Sequence, residues 1–119
     1  MKILLTGAKG YIGIPLCYEL EKEHELIGVD NDSRVEWVNR CGGKEENNSY
    51  VDGLVHIIKG DLTNQNFVNE IIQIHKPQCV IHLASQPSMP YLQINSERGL
   101  FTQINNISMC LNLLWALKH

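Results

Sequence analysis

The 119-residue sequence has no large surplus of charge of either sign, no closely spaced cysteine pair and no long apolar run, and each absence removes a class of function. Ten Lys and Arg against thirteen Asp and Glu leave a formal charge of −3. Nothing there points to a nucleic-acid or membrane surface. Cys17, Cys41, Cys79 and Cys110 lie far apart, and the five histidines show no ligand spacing, so neither a zinc site nor a disulfide framework is expected and the metal assignment is none. No stretch approaches the roughly 20 apolar residues that a membrane-spanning helix needs. The amino terminus enters an apolar segment directly, without a secretory-signal pattern, and a reducing cytoplasm is the expected compartment. Internal repeats and low-complexity tracts are also missing. What remains is an ordinary globular composition, 44% apolar and 19% charged, in a chain long enough for one small core.

The informative stretch is Met1 to Gly13, MKILLTGAKGYIG. Lys2 to Thr6 is short and apolar enough for a buried parallel strand, and Ile12, Leu16 and Leu20 recur at helical spacing, predicting a helix over about 11–22. Between them Gly7, Gly10 and Gly13 stand three apart. Gly7 can take the positive φ that leaves a strand sharply, Gly10 lets backbone approach a pyrophosphate, and Gly13 lets the helix pack closely. The helix start aims free N–H groups at the anion.

Glu25 to Val29 reads as a second strand ending at Asp30, a carboxylate placed to accept hydrogen bonds from an adenosine ribose and to repel a 2′-phosphate. NAD is therefore expected rather than NADP, although Arg34 is the residue type that accepts a 2′-phosphate, and Asp30 in a plain turn is the bland alternative. Ser33 to Arg40 predicts a short helix with Val35 and Val38 inward. Residues 41–53 read as a surface loop, rich in Gly, Asn and Glu. Leu54 to Lys59 is a third strand, Asn64 to His75 a helix with Phe67, Val68, Ile71 and Ile72 on one face, and Cys79 to Ala84 a fourth strand. Gln86 to Leu92 is a turn-rich loop beyond that strand, where open α/β sheets bind ligand. In it Ser88 and Tyr91 offer hydroxyls to a sugar, with an ordinary turn as the alternative. Ile104, Ile107, Leu111 and Leu114, with spacings of 3, 4 and 3, predict a long closing helix.

Thr6-Gly-Ala-Lys-Gly-Tyr-Ile-Gly13, with Tyr11-Ile12 inside it, resembles the nucleotide loop of the extended short-chain dehydrogenase/reductase family, largely NAD-dependent sugar-nucleotide epimerases and dehydratases. The resemblance implies an α/β fold, the amino-terminal half of a Rossmann-like doubly wound parallel sheet with strand order 3-2-1-4. It implies that residues 1–119 form an NAD-binding domain that is incomplete. It extends cofactor contact from Gly7, Gly10, Tyr11, Ile12 and Gly13 to Asp30 and Asn31 at the ribose. Asp61 and Leu62 would meet the adenine, although Asp61 could instead cap the next helix, a task for which Thr63 is better placed. His82-Leu-Ala-Ser85 is similar to the family's His-Leu-Ala segment, which assigns Leu83, Ala84 and Ser85 to the nicotinamide side; His82 itself, an imidazole inside a strand, reads as packed or hydrogen-bonded structure, with a catalytic role as the alternative. Asn105-Asn106 match an Asn pair whose second member supports the active-site groups.

Loop and closing helix resemble the UDP-sulfoquinovose synthase branch of that family, whose pattern Gln-Arg-Ser-Ala-Pro-Tyr compares with Gln86-Pro-Ser-Met-Pro-Tyr91. This implies a UDP-hexose substrate touching Gln86, Ser88 and Tyr91, and a homodimer for the complete protein. Pro87 replaces an arginine expected near the sulfur nucleophile, and Met109-Cys110 replace a Gly-Thr pair. The family's Ser/Thr and Tyr-x-x-x-Lys groups belong to and beyond a fifth strand. Neither is expected among these residues, so no catalytic residue is assigned and the 119 residues alone are expected to be inactive.

Overall fold

The computed structural model describes residues 1–43, 48–86 and 96–118, which divide into two compact units. The first holds residues 1–61 and 76–83. Its strands are β1 (Lys2–Thr6), β2 (Glu25–Asp30), β3 (His56–Lys59) and β4 (Cys79–His82). They form one parallel sheet in the order β3-β2-β1-β4, with Leu4 opposite Ile27 and Val80. Ile3 to Thr6 are all buried, as the continuous apolar run of a central parallel strand requires. The expected parallel sheet and its order are therefore present.

Helices α1 (Gly13–Leu20), α2 (Ser33–Arg40) and α3 (Asn48–Leu54) belong to the same unit. Its core gathers Ile3 and Leu5 from β1, Ala8, Cys17 from α1, Leu26, Val51 from α3 and Val55. Here two expectations are corrected. Helix α1 is shorter than 11–22, because the glycine loop runs on through Tyr11 and Ile12, which are 84% and 62% exposed. Ile12 is thus not a core contact, and Cys17 takes the buried position. Second, the segment read as surface loop contains α3. Val51 and Val55, four apart and both buried, anchor it despite its polar neighbours, and β3 accordingly begins at His56 rather than Leu54.

The second unit holds residues 62–75 and 84–119, with α4 (Gln65–His75) and α5 (Ser96–Lys118) packed together. Val68, Ile71 and Ile72 of α4 are buried, as the stripe predicts. Asn64, not Thr63, caps α4: its Oδ1 accepts the N–H groups of Asn66 and Phe67 at 3.0 and 3.2 Å, the work of an N-cap. On α5 the buried residues are Thr102, Met109, Leu113 and Ala116, while Ile104, Ile107, Leu111 and Leu114 are 52–60% exposed. The expected long helix is present, and the apolar row that predicts it lies on exposed positions.

Candidate functional site

The glycine loop is fastened to β2 at its first residue. Gly7 has φ +72°, and its N–H donates to the Val29 carbonyl at 2.8 Å. The Gly10 N–H then closes a turn on the Gly7 carbonyl at 3.0 Å, and the Ile14 N–H bonds the Gly10 carbonyl at 3.1 Å. A Cβ on Gly13 would collide with the Gly7 carbonyl oxygen and lie 2.9 Å from the Ala8 backbone. Only glycine lets α1 start this close to the loop. In the first turn of α1 the Ile14 N–H is taken by the Gly10 carbonyl, the Leu16 N–H is taken by the Ile12 carbonyl at 3.3 Å, and Pro15 has none, so an anion cradled here would meet N–H groups of the loop up to Gly13 rather than those of the helix's first turn.

Asp30 stands at the end of β2, and both its oxygens are held by backbone. Oδ2 accepts the Lys9 N–H and Oδ1 accepts the Asp32 N–H, each at 2.9 Å. A carboxylate has about four lone-pair sites, so each oxygen keeps capacity for a hydroxyl. Asn31 turns its Oδ1 onto the Ser33 N–H at 3.0 Å and starts α2. Gly60 donates to the Asp30 carbonyl at 3.0 Å, which brings the exposed Asp61 to the same end of the sheet as Asp30. Lys9 is the residue that sequence reasoning missed. Its ammonium bridges Asp32 Oδ1 at 3.1 Å and Asp52 Oδ1 at 3.0 Å. Burial works to lower the Lys9 pKa, but hydrogen bonds and charge from Asp52 and Asp32 outweigh it and hold the group above its ordinary value. A lysine between two loop glycines and an Asp-Asn-Asp turn were the available signals; Asp52, on an unexpected helix, gave none.

The end of β4 is locked to β1. The Leu83 N–H donates to the Thr6 carbonyl at 3.1 Å and to Thr6 Oγ1 at 3.2 Å. Thr6 Oγ1 also lies 2.7 Å from His82 Nδ1. Because the hydroxyl accepts from Leu83, its proton is available for Nδ1, which a neutral imidazole protonated on Nε2 accepts. Burial pushes the His82 pKa down, in keeping with that neutral form. His82 is thus occupied within the sheet, and Leu83 packs on the unit's core.

In the second unit, the Gln86 N–H donates to Asn106 Oδ1 at 2.8 Å, and Asn105 Nδ2 approaches Gln86 Oε1 at 3.5 Å. The Asn pair of α5 therefore holds Gln86 at both its main chain and its side chain. Asn112, not anticipated from sequence, donates to the carbonyls of Leu62 and Thr63 at 2.9 and 3.1 Å, fixing the buried Leu62. Ala84 and Ser85 lead into Gln86, with Ser85 exposed. Ser88 and Tyr91 lie outside the described residues.

A Tyr-x-x-x-Lys spacing does occur, at Tyr18 and Lys22, although none was expected. Lys22 is paired with Glu19 at 3.0 Å on the surface. Beyond it His24 lies 3.3 Å from the amino-terminal nitrogen of Met1. This places the pair toward the start of β1, at the opposite end of the sheet from the glycine loop.

The sequence pattern of the NAD dependent epimerase/dehydratase family matches residues 3–119. A UDP-sulfoquinovose synthase from Sulfolobus acidocaldarius is 32% identical over 129 residues, covering 98% of this chain and 33% of that protein. A UDP-glucose 4-epimerase from Klebsiella pneumoniae is 36% identical over 124 residues, covering 99% of this chain and 81% of that protein. Among solved structures, the UDP-glucose 4-epimerase of Thermus thermophilus in complex with NAD superposes with a TM-score of 0.71 at 27% identity, covering 98% of this chain and 33% of that one. The chain thus spans about a third of the sulfoquinovose synthase and of the solved epimerase. With a glycine cradle, an acidic residue closing β2 and a sheet of order 3-2-1-4, the chain belongs to the NAD-dependent epimerase/dehydratase family.

Proposed function

We propose that these residues are the NAD-holding part of an enzyme that modifies a UDP-hexose in the manner of UDP-sulfoquinovose synthase. In this reading Gly7, Gly10, Tyr11, Ile12 and Gly13 carry the pyrophosphate, and Asp30 with Asn31 the adenosine ribose. Asp61 and Leu62 meet the adenine, and Leu83, Ala84 and Ser85 the nicotinamide side. Gln86, Ser88 and Tyr91 face the sugar nucleotide, with Asn106 supporting. When bound, NAD supplies a reversible acceptor for a hydride from a sugar carbon, which acidifies the neighbouring positions for elimination or addition. The chain's own contribution is to bind and orient. The glycine loop presents main-chain donors to the phosphates, and the Asp30 charge disfavours a 2′-phosphate.

The observation that carries the substrate side is the Gln86–Asn106 bond of 2.8 Å. It fixes the first residue of the stretch that resembles the sulfoquinovose synthase branch, and the 32% identity along almost the whole chain agrees. UDP-glucose 4-epimerase or dTDP-glucose 4,6-dehydratase chemistry is the second reading. Pro87 in place of the arginine favours it, as does the 36% identity to a 4-epimerase. The complete protein is read as a cytoplasmic homodimer whose proton-transfer residues lie outside these 119.

The test incubates the complete protein with NAD and UDP-glucose, with and without sulfite, and separates the nucleotide sugars formed. A sulfonated product that requires sulfite supports the first reading. UDP-galactose formed without sulfite supports the second and overturns the first. No turnover beside tight NAD binding would identify a binding module and overturn both.

A further inference from the structure

Lys9 sits inside the loop that meets the pyrophosphate, yet its charge is engaged elsewhere. The side chain is 12% exposed, with Nζ between Asp32 Oδ1 at 3.1 Å and Asp52 Oδ1 at 3.0 Å. Its backbone N–H meanwhile donates to Asp30 Oδ2, and the Asp32 N–H donates to Asp30 Oδ1. These bonds close a ring. Starting from Asp30, it runs through the Lys9 main chain, along the Lys9 side chain to the Asp32 carboxylate, and back through the Asp32 N–H to Asp30. Asp32 adopts φ +62° to take part, a left-handed conformation that residues other than glycine, Asn and Asp rarely visit. Lys59 approaches its other oxygen at 3.6 Å. Lys9 and Asp32 are only 12% and 23% exposed, and the cost of taking the charges out of water offsets part of what their attraction gains. The value of this arrangement therefore lies in the geometry it imposes on Asp30 rather than in the pairing itself.

We propose that Lys9 is a positioning residue for the Asp30 carboxylate, and that α3, through Asp52, belongs to the adenosine-ribose end of the cofactor site. The inference rests on the ribose role given to Asp30. Lys9 bound by two carboxylates is not a phosphate ligand. Its work is to hold the loop backbone and the Asp30–Asp32 turn in one register, so that the free lone pairs of Asp30 meet ribose hydroxyls without reorganisation. Asp52 completes the clamp from a helix that no glycine-loop motif announces. The placement of α3 thereby tunes how well the ribose is read.

The experiment measures binding of AMP, 2′-deoxy-AMP and NAD to the complete protein by calorimetry, in wild type, Lys9→Met, Lys9→Arg and Asp52→Asn. Wild type should prefer AMP to 2′-deoxy-AMP. Lys9→Met should lower that preference about fivefold, the loss of one well-placed hydrogen bond, and weaken NAD in proportion. Lys9→Arg, which can span both carboxylates, should restore the preference. Asp52→Asn keeps Lys9 and removes one arm of the clamp, so it guards against a Lys9→Met protein that does not fold; it should weaken AMP about two- to threefold. Tighter AMP or NAD binding in Asp52→Asn would show that a freed Lys9 contacts phosphate, and would overturn the proposal. So would a Lys9→Met protein that keeps the wild-type preference. A wild type that binds NAD but has no preference for AMP over 2′-deoxy-AMP would instead overturn the ribose role of Asp30, and the inference with it.

Discussion

Replacing Gly13 with alanine sets two effects of opposite sign against each other. Alanine is the better helix former, and within a helix the change favours folding by about 0.5–1 kcal/mol. The added Cβ, however, would run into the Gly7 carbonyl oxygen and the Ala8 backbone, whose nearest atoms lie 2.9 Å away. Those atoms belong to the main chain and cannot rotate aside. Overpacking of this kind costs about 1–3 kcal/mol, and relief would need α1 to lift from the loop. The net expectation is a loss of about 1–2 kcal/mol, or roughly 5–10 °C in melting temperature for a chain of this size. The NAD affinity should fall as well, because the cradle opens. Gly53→Ala is the matched control: a Cβ there has nothing within 4 Å, so it should stabilise by about 0.4–1 kcal/mol. Urea unfolding of both variants, read by circular dichroism, decides. If Gly13→Ala matched or exceeded wild type, helix and loop would not pack against each other as described.

Burial, with the Asp30 charge behind it, pushes the Cys17 thiol up to about 11. Folding therefore favours the protonated thiol, and its contribution is intact below about pH 9 and lost as pH rises through 11. Wild type should lose about 2–3 kcal/mol more than Cys17→Ala over that interval in urea melts, and equal losses would refute the assignment. His82 runs the other way. Its pKa is lowered by burial, so its contribution is present above about pH 6.5 and declines as pH falls through the folded value. His82→Gln should flatten the acid limb of a stability profile, and an unchanged limb would count against the burial of that imidazole. Asn64→Ala should cost about 0.5–2 kcal/mol by removing the α4 cap, whereas Thr63→Val should cost less; the reverse order in thermal melts would return the cap to Thr63.

The sheet was legible because its strands carry the signal that parallel burial demands. Ile3 to Leu5 and Leu26 to Val29 are apolar or side-chain-free on consecutive positions, and only a strand covered on both faces tolerates that. The glycine spacing was legible for a similar reason, since a positive φ and a backbone contact each admit one residue type. The errors fell where several residues would do. Helix α3 is held by Val51 and Val55 amid Asn, Ser, Asp and Gly, and two apolar residues four apart do not stand out from a polar loop. On α5 the sequence offers apolar residues on two sides. Periodicity gives the spacing of a face but not its direction, so Ile104, Ile107, Leu111 and Leu114 announced the helix without saying that Met109, Leu113 and Ala116 are what it buries. Lys9 shows the same limit in charged residues. Its partner Asp32 is 23 positions away and Asp52 is 43 away, and a lysine's long, flexible stem lets it pair with any carboxylate that the fold delivers. Only the unforeseen helix α3 delivers Asp52. A side chain whose role depends on which of two faces a short helix turns inward cannot be assigned before that helix is known, however strong the motif around it.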